Sequence, residues 1–249
     1  MSGIATVRAS ALLCALLPTL SATLHAQAIE LRFAPPVGQV THYRTASRQW
    51  SSTDTSGAPH SQSVLYQTQT ILPLEGQDYV IRVTFDSTVM PGVAAEHDVF
   101  RGWSVTIHQD SSGNVLWTEV TAAPSLPAFM SAMVGKSLHS SRGPNNRKWP
   151  EGSISSGYTW SDSLPMSYSS GPITKQVMCH VTYRFDRVVH QGGARVAMFS
   201  FTAVSAAREA CSGGGEIAFD LDGSRVARSS TDMTIAGAAH VKQTTETLP

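Results

Sequence analysis

Two stretches in which apolar residues alternate with mostly polar ones constrain the fold of this chain more than any other feature. Across Asp78–Asp86, Tyr79, Ile81, Val83 and Phe85 are apolar, while Asp78, Arg82, Thr84 and Asp86 are polar. Val177–Asp186 repeats the pattern, with Val177, Cys179, Val181, Tyr183 and Phe185 set against His180, Thr182, Arg184 and Asp186. Successive side chains of a strand leave opposite faces, so period two over this length marks half-buried antiparallel strands. Gly192-Gly193 then predicts a tight connection into Ala194–Val204, which reads as a strand buried on both faces. Trp103, Val105 and Ile107 alternate with polar neighbours. A turn at Asp110–Asn114, where Gly113 supplies a positive φ, predicts a hairpin with Val115–Val120.

One segment breaks the period. From Ser125 to Ser140, Leu126, Phe129, Met130, Met133, Val134 and Leu138 fall at helical spacing, with Ser125 as cap and Pro127 in the first turn. Ser141–Asn146 reads as a loop broken by Gly143-Pro144. A methionine-bearing stripe either packs on a sheet or faces a ligand, because methionine adapts its shape to varied partners. The expectation is therefore a mainly β chain of about ten antiparallel strands with a short central helix.

Composition removes several function classes. Lys+Arg and Asp+Glu number 18 each, so no basic excess is present to neutralise phosphates, and nucleic acid is excluded as an electrostatic partner. Charged residues are only 14%, too few for a coiled coil or a polar-faced helix bundle. Residues 1–28 read as a secretory signal peptide: Arg8, the apolar run Ala9–Leu20, and a small-x-small ending at Ala26-Gln27-Ala28. That run is too short to cross a bilayer core of roughly 30 Å. Leu13 before Cys14 argues against lipid attachment there, and no later stretch has the apolar length of a transmembrane helix. The mature chain is expected to be exported, periplasmic or extracellular in a bacterium. In that setting Cys179 and Cys211 form a candidate disulfide, the alternative being two unpaired thiols with Cys179 in a core.

Internal similarity divides the rest. Gly38-x-x-x-His42-Tyr43 opens one half and Gly157-Tyr158-Thr159-Trp160 the other. Glu75-Gly76-Gln77 matches Gln191-Gly192-Gly193, Gly102-Trp103 matches Gly215-Glu216, and the turn at Gly113 matches that at Gly223. These pairs lie roughly 110–120 residues apart, as a duplication requires. The organisation expected is a first β repeat over 29–120, a helix and loop connector over 121–149, and a second β repeat over 150–249.

Phe33-x-Pro35-Pro36-Val37-Gly38-x-x-x-x-Tyr43, Pro150-Glu151-Gly152 before Gly157-Tyr158-Thr159-Trp160, and the late Asp222-Gly223 turn resemble a family of exported bacterial proteins of unknown function. That family is thought to share the architecture of the periplasmic lipoprotein carriers. The resemblance implies a curved sheet or incomplete β-barrel, helices closing its concave side, and an apolar cavity for lipid or lipoprotein. It transfers no catalytic residue.

No catalytic signature stands in the sequence: no Gly-x-Ser-x-Gly, no His-Glu-x-x-His and no phosphate-cradling glycine loop. Gly213-Gly214-Gly215 reads as a flexible start to a strand, and Asp220-x-Asp222-Gly223 as a hairpin turn lacking the closing acid of a calcium loop. Glu96-His97-Asp98 is the one tight acid–histidine cluster, and a solvated loop explains it best. The function expected is noncatalytic binding of an apolar ligand, a lipid or acylated peptide, lined by Phe129, Met130 and Met133. The alternative is a structural or protein-interaction module of the cell envelope without a ligand cavity. Neither a cofactor nor a metal is expected, and no protein partner can be named.

Overall fold

The computed structural model describes residues 28–51, 57–94, 98, 100–122, 148–170, 173–205, 211–235 and 239–249. Among these residues thirteen strands run in chain order: β1 Ile29–Glu30, β2 Val40–Ser51, β3 Ser61–Glu75, β4 Asp78–Val89, β5 Ser104–Gln109, β6 Val115–Ala122, β7 Ser153–Ile154, β8 Thr159–Ser170, β9 Ile173–Gln191, β10 Ala194–Val204, β11 Cys211–Asp220, β12 Arg225–Ile235 and β13 Ala239–Thr247. Among the described residues there is no helix. The helix expected over Ser125–Ser140 lies outside the described residues, as does the segment read as a signal peptide up to residue 27.

Eleven strands form one antiparallel sheet in the order β6-β5-β4-β3-β2-β13-β12-β11-β10-β9-β8. Two meanders are joined where the C-terminal strand β13 pairs with β2, so β6 and β8 are left as the two edges. Pro165 sits in edge strand β8, a place where the missing N–H breaks no ladder. β1 and β7 make a separate two-stranded sheet, Ile29 opposite Ile154.

The predicted hairpins form for the predicted reasons. Gly192 and Gly193 have φ of 60° and 85°, the two positive values a two-residue loop needs between twisted strands. In the β5–β6 turn, Asp110 accepts hydrogen bonds from the backbone N–H groups of Ser112 and Asn114 (both 2.9 Å). The β11–β12 turn is built alike, Asp220 accepting from Asp222 and Gly223 at 3.0 and 2.9 Å. Gly38 and Gly157 also share a local structure. Each donates to a residue of the next strand, Ile71 or Phe185, which returns a bond to the residue after the glycine. Gly102 makes the same pair of bonds with Phe85. Gly215, its match in the sequence comparison, instead lies inside β11 between Phe201 and Thr231.

Two local expectations are corrected. β10 is not buried on both faces: Val196, Ala197, Phe199, Phe201 and Ala203 are buried, but Thr202 is exposed and Val204 is 53% exposed. Past the register shift at Met198/Phe199, alternation survives even in this apolar strand. Gly213-Gly214-Gly215 is not a flexible strand start. It is paired on both sides, and a Cβ on Gly215 would come within 2.8 Å of the Phe201 ring.

One peptide group measures how strongly the sheet curls. Ser224 donates its hydroxyl to the Arg32 carbonyl at 3.0 Å, while the Phe33 N–H on the other side of that peptide donates to the Ser111 carbonyl at 3.1 Å. The two serines belong to the β11–β12 and β5–β6 turns. In a flat sheet the five spacings from β5 to β12 would hold these turns about 24 Å apart. Both instead reach one peptide unit, so the sheet rolls towards a barrel at this end, although β6 and β8 do not pair.

Candidate functional site: the concave face

The rolled end is filled from inside. Ile29, Leu31 and Phe33 alternate with exposed Glu30 and Arg32, and together with Trp149 and Ile154 they pack into the core. Trp149 donates its backbone N–H to Ser112 (2.9 Å) on the β5–β6 turn. Its ring lies 4.9 Å from Phe219 and 6.0 Å from Phe199. Lys148 accepts the indole N–H of Trp160 at 3.0 Å. Residues 148–149 thus tie the turn beside one sheet edge to the strands beside the other.

The packed face changes character across its width, and the strand register shows where. Residues directly opposite in an antiparallel pair share a face. One row reads Phe185, Phe199, Ile217, Ser229, Thr245, Thr45 and Leu65, from β9 to β3. The next reads Trp160, Tyr183, Phe201, Gly215, Thr231, Gln243 and Ser47. On β8–β10 the face is aromatic: Trp160 stacks on Tyr183 at 5.2 Å and meets Phe199 edge-on at 5.7 Å. Offset and edge-on pairs of this kind are the favoured aromatic geometries. The missing side chain of Gly215 leaves room for the Phe201 ring. In these two rows β12, β13 and β2 carry hydroxyls and an amide, while Val226, Met233 and Tyr43 keep apolar side chains on the same face beside them. Thr45 and Thr245 share a buried hydroxyl–hydroxyl bond of 3.0 Å, and Thr41, Gln69 and Ser229 are buried near them in the sheet.

Cys179 and Cys211 are joined as a disulfide, Cα to Cα 5.9 Å. They sit on β9 and β11, separated by β10, and two strand spacings would be roughly 10 Å. The bridge lies one residue past the end of β10, where the Ser205 N–H donates to the Cys211 carbonyl at 3.0 Å. The two outer strands close on each other there, a separation that a disulfide accepts.

Phe129, Met130 and Met133 lie outside the described residues. Of the acid–histidine cluster only Asp98 is described. It accepts backbone N–H bonds from Thr88 and Phe100 and so shapes its own loop. Asp220 and Asp222 are likewise committed, Asp220 to its turn and Arg225, Asp222 to Arg195. The backbone N–H of Arg195, then its guanidinium, hold the Asp222 carboxyl below the usual carboxylate range. Among the described residues, no three His, Cys, Asp or Glu side chains gather as a metal set. What sequence reading missed is the aromatic group of Trp149, Trp160, Phe199 and Phe219. Alternation places each residue on a face, but strand pairing is needed to bring them together.

No protein-family model matches the chain, and no curated protein matches it. Among solved structures it is similar to the hypothetical lipoprotein YmcC from Escherichia coli K12, at 12% identity and a TM-score of 0.33, over 85% of this chain and 88% of that one.

Proposed function

We propose that the chain is a noncatalytic exported protein, periplasmic or extracellular in a bacterium, that holds an apolar ligand such as a lipid or acylated peptide against the concave face. The observation that carries this reading is the graded row from Phe185 and Phe199 to Thr245 and Thr45. An amphiphile has the same division, with an acyl chain to lie over rings and a polar part to meet hydroxyls. Ligand sites of this kind are apolar with a few placed polar groups. Phe129, Met130 and Met133 complete the lining in this proposal. The Cys179–Cys211 disulfide supports an oxidising compartment.

Native mass spectrometry of the protein purified from its own host, followed by organic extraction, tests the reading. A bound lipid or acyl species is the expected result. A clean protein mass, together with no saturable binding of an apolar fluorescent probe, would overturn it. The second reading is an envelope interaction module with a filled interior, favoured by the plug of Ile29, Leu31, Phe33 and Trp149. Cross-linking to a protein partner, with no probe bound, would select it.

A further inference from the structure

The non-aromatic half of the concave face is polar without being charged. On β12, β13, β2 and β3 one row runs Ser229, Thr245, Thr45 and Leu65, and the next Thr231, Gln243, Ser47 and Ser63. Gln49 stands one row further on, opposite Val241. Access grows in the same direction. Ser229, Thr245 and Thr45 are buried, Thr231, Ser47 and Ser63 are half-buried, and Gln243 and Gln49 are exposed.

The charged residues of these strands take the opposite face. Arg228, Glu246 and Arg44 form one row there, and Asp232, Lys242 and Arg48 another. Each is one residue away from a member of a concave row, and successive side chains of a strand leave opposite faces. The convex charges answer one another, Arg44 with Glu246 at 3.0 Å and Lys242 with Asp232 at 3.1 Å. The remaining charged groups are placed elsewhere. Arg225, at the rolled end, is paired with Asp220, and Glu75 ends β3 at 3.8 Å from His108. Asp162 accepts the Ser163 N–H on β8, four strands from β12.

We infer that this half of the face receives an uncharged, polyhydroxylated head, of the kind a glycosyl group provides, and rejects phosphate and ammonium heads. The inference rests on the amphiphile reading above and names the ligand class for the same face. Serine and threonine hydroxyls and glutamine amides both donate and accept hydrogen bonds, as the hydroxyls of a sugar do. A phosphate or ammonium entering the two rows would give up water and meet no opposite charge. Hydrogen bonds to neutral groups offset that loss only in part.

The test compares three amphiphiles with the same twelve-carbon tail, dodecyl maltoside, dodecylphosphocholine and dodecyl phosphate. Each is titrated below its micelle concentration into the whole mature protein in a calorimeter. Dodecyl maltoside is expected to bind at least about tenfold more tightly than either phosphate-bearing head. Gln243→Ala should weaken dodecyl maltoside about fivefold, the effect of one hydrogen bond, and leave dodecylphosphocholine unchanged. Gln243→Lys places a cation on the concave face and should turn the preference towards dodecyl phosphate. Thr244→Lys, one residue on and facing outward opposite Ser230 and Ala46, should leave the preference as it was. Equal or tighter binding of a phosphate-bearing head to the unaltered protein would overturn the neutral head and leave the amphiphile reading standing. Equal effects of the two lysine variants would overturn the placement on the concave face. If none of the three amphiphiles binds, the amphiphile reading falls, and the head assignment falls with it.

Discussion

Ser111 and Ser224 hydrogen-bond to opposite sides of one peptide group, the bond between Arg32 and Phe33. Ser224 also accepts the Ala34 N–H at 2.8 Å, so one buried hydroxyl holds the N-terminal segment over the rolled end. Its backbone is left-handed, φ 48°, a conformation that disfavours any residue with a Cβ.

Ser224→Ala removes both bonds and keeps the unfavourable φ. A loss of about 2 kcal/mol in unfolding free energy is expected, from a donor and an acceptor left without a partner. Ser224→Gly removes the same bonds but relieves the backbone, and should be less damaging by about 1 kcal/mol. Denaturant midpoints measure both. Amide exchange at Phe33 and Ala34 should rise in each variant before exchange elsewhere does.

Removing the disulfide should cost about 3–4 kcal/mol, the chain-entropy value for a loop whose ends are 32 residues apart. Guanidinium unfolding of the oxidised protein and of a Cys179→Ala/Cys211→Ala variant gives the difference. The intact protein should gain two mass units on reduction.

Gly215→Ala places a methyl against the Phe201 ring and the neighbouring backbone of Ser230. Overpacking of this order destabilises by about 1–3 kcal/mol. Phe201→Ala alone is also destabilising, through the lost ring. The double variant should be less unstable than the sum of the two, because the smaller side chain removes part of the clash.

Thr45→Val leaves the Thr245 hydroxyl buried without its partner, and should cost about 1–2 kcal/mol. Thr45→Val/Thr245→Val removes both hydroxyls and should recover most of that loss. If the hydroxyl stripe receives the polar part of a ligand, the double variant will bind an amphiphile more weakly despite its recovered stability. Thermal unfolding and probe titration together separate the two effects.

Acid should weaken the fold through two surface carboxyls. Asp222 is held below its usual range by the backbone and then the guanidinium of Arg195. Asp232 is held below its range by His240 first and by Lys242. A carboxyl with a depressed folded-state pKa stabilises the fold above its unfolded value, near 4, and loses that contribution as pH falls through the folded value. Stability should therefore decline below about pH 4, and Asp222→Asn should flatten the decline. Unfolding midpoints measured between neutral and strongly acidic pH check the sign.

Much of the sheet was legible in the sequence because its signals are local. The alternation of Tyr79, Ile81, Val83 and Phe85 specifies one face, and Gly192-Gly193 specifies one turn, without reference to anything distant. The pairing of Cys179 with Cys211 was readable as a possibility because only two cysteines follow the segment read as a signal. The meeting of β13 with β2 was not legible, since no local feature names a partner strand so far along the chain. For the same reason the concave face could not be seen to pass from rings to hydroxyls. Phe199 and Thr45 lie in one row only through four intervening pairings. Ser224 was missed because a buried polar residue in a turn resembles an exposed one until the fold covers it.

The pairing of β2 with β13 also governs when this molecule can exist as a unit. Thr45 and Thr245, bonded to each other, are separated by 200 positions, and the strands on either side of them are otherwise meanders of near neighbours. Each meander can assemble as soon as it is made. The two cannot join until the last nine-residue strand is available, and closing so long a loop is slow relative to forming hairpins. Loss of β13 would thus divide the sheet through its centre rather than trim its edge.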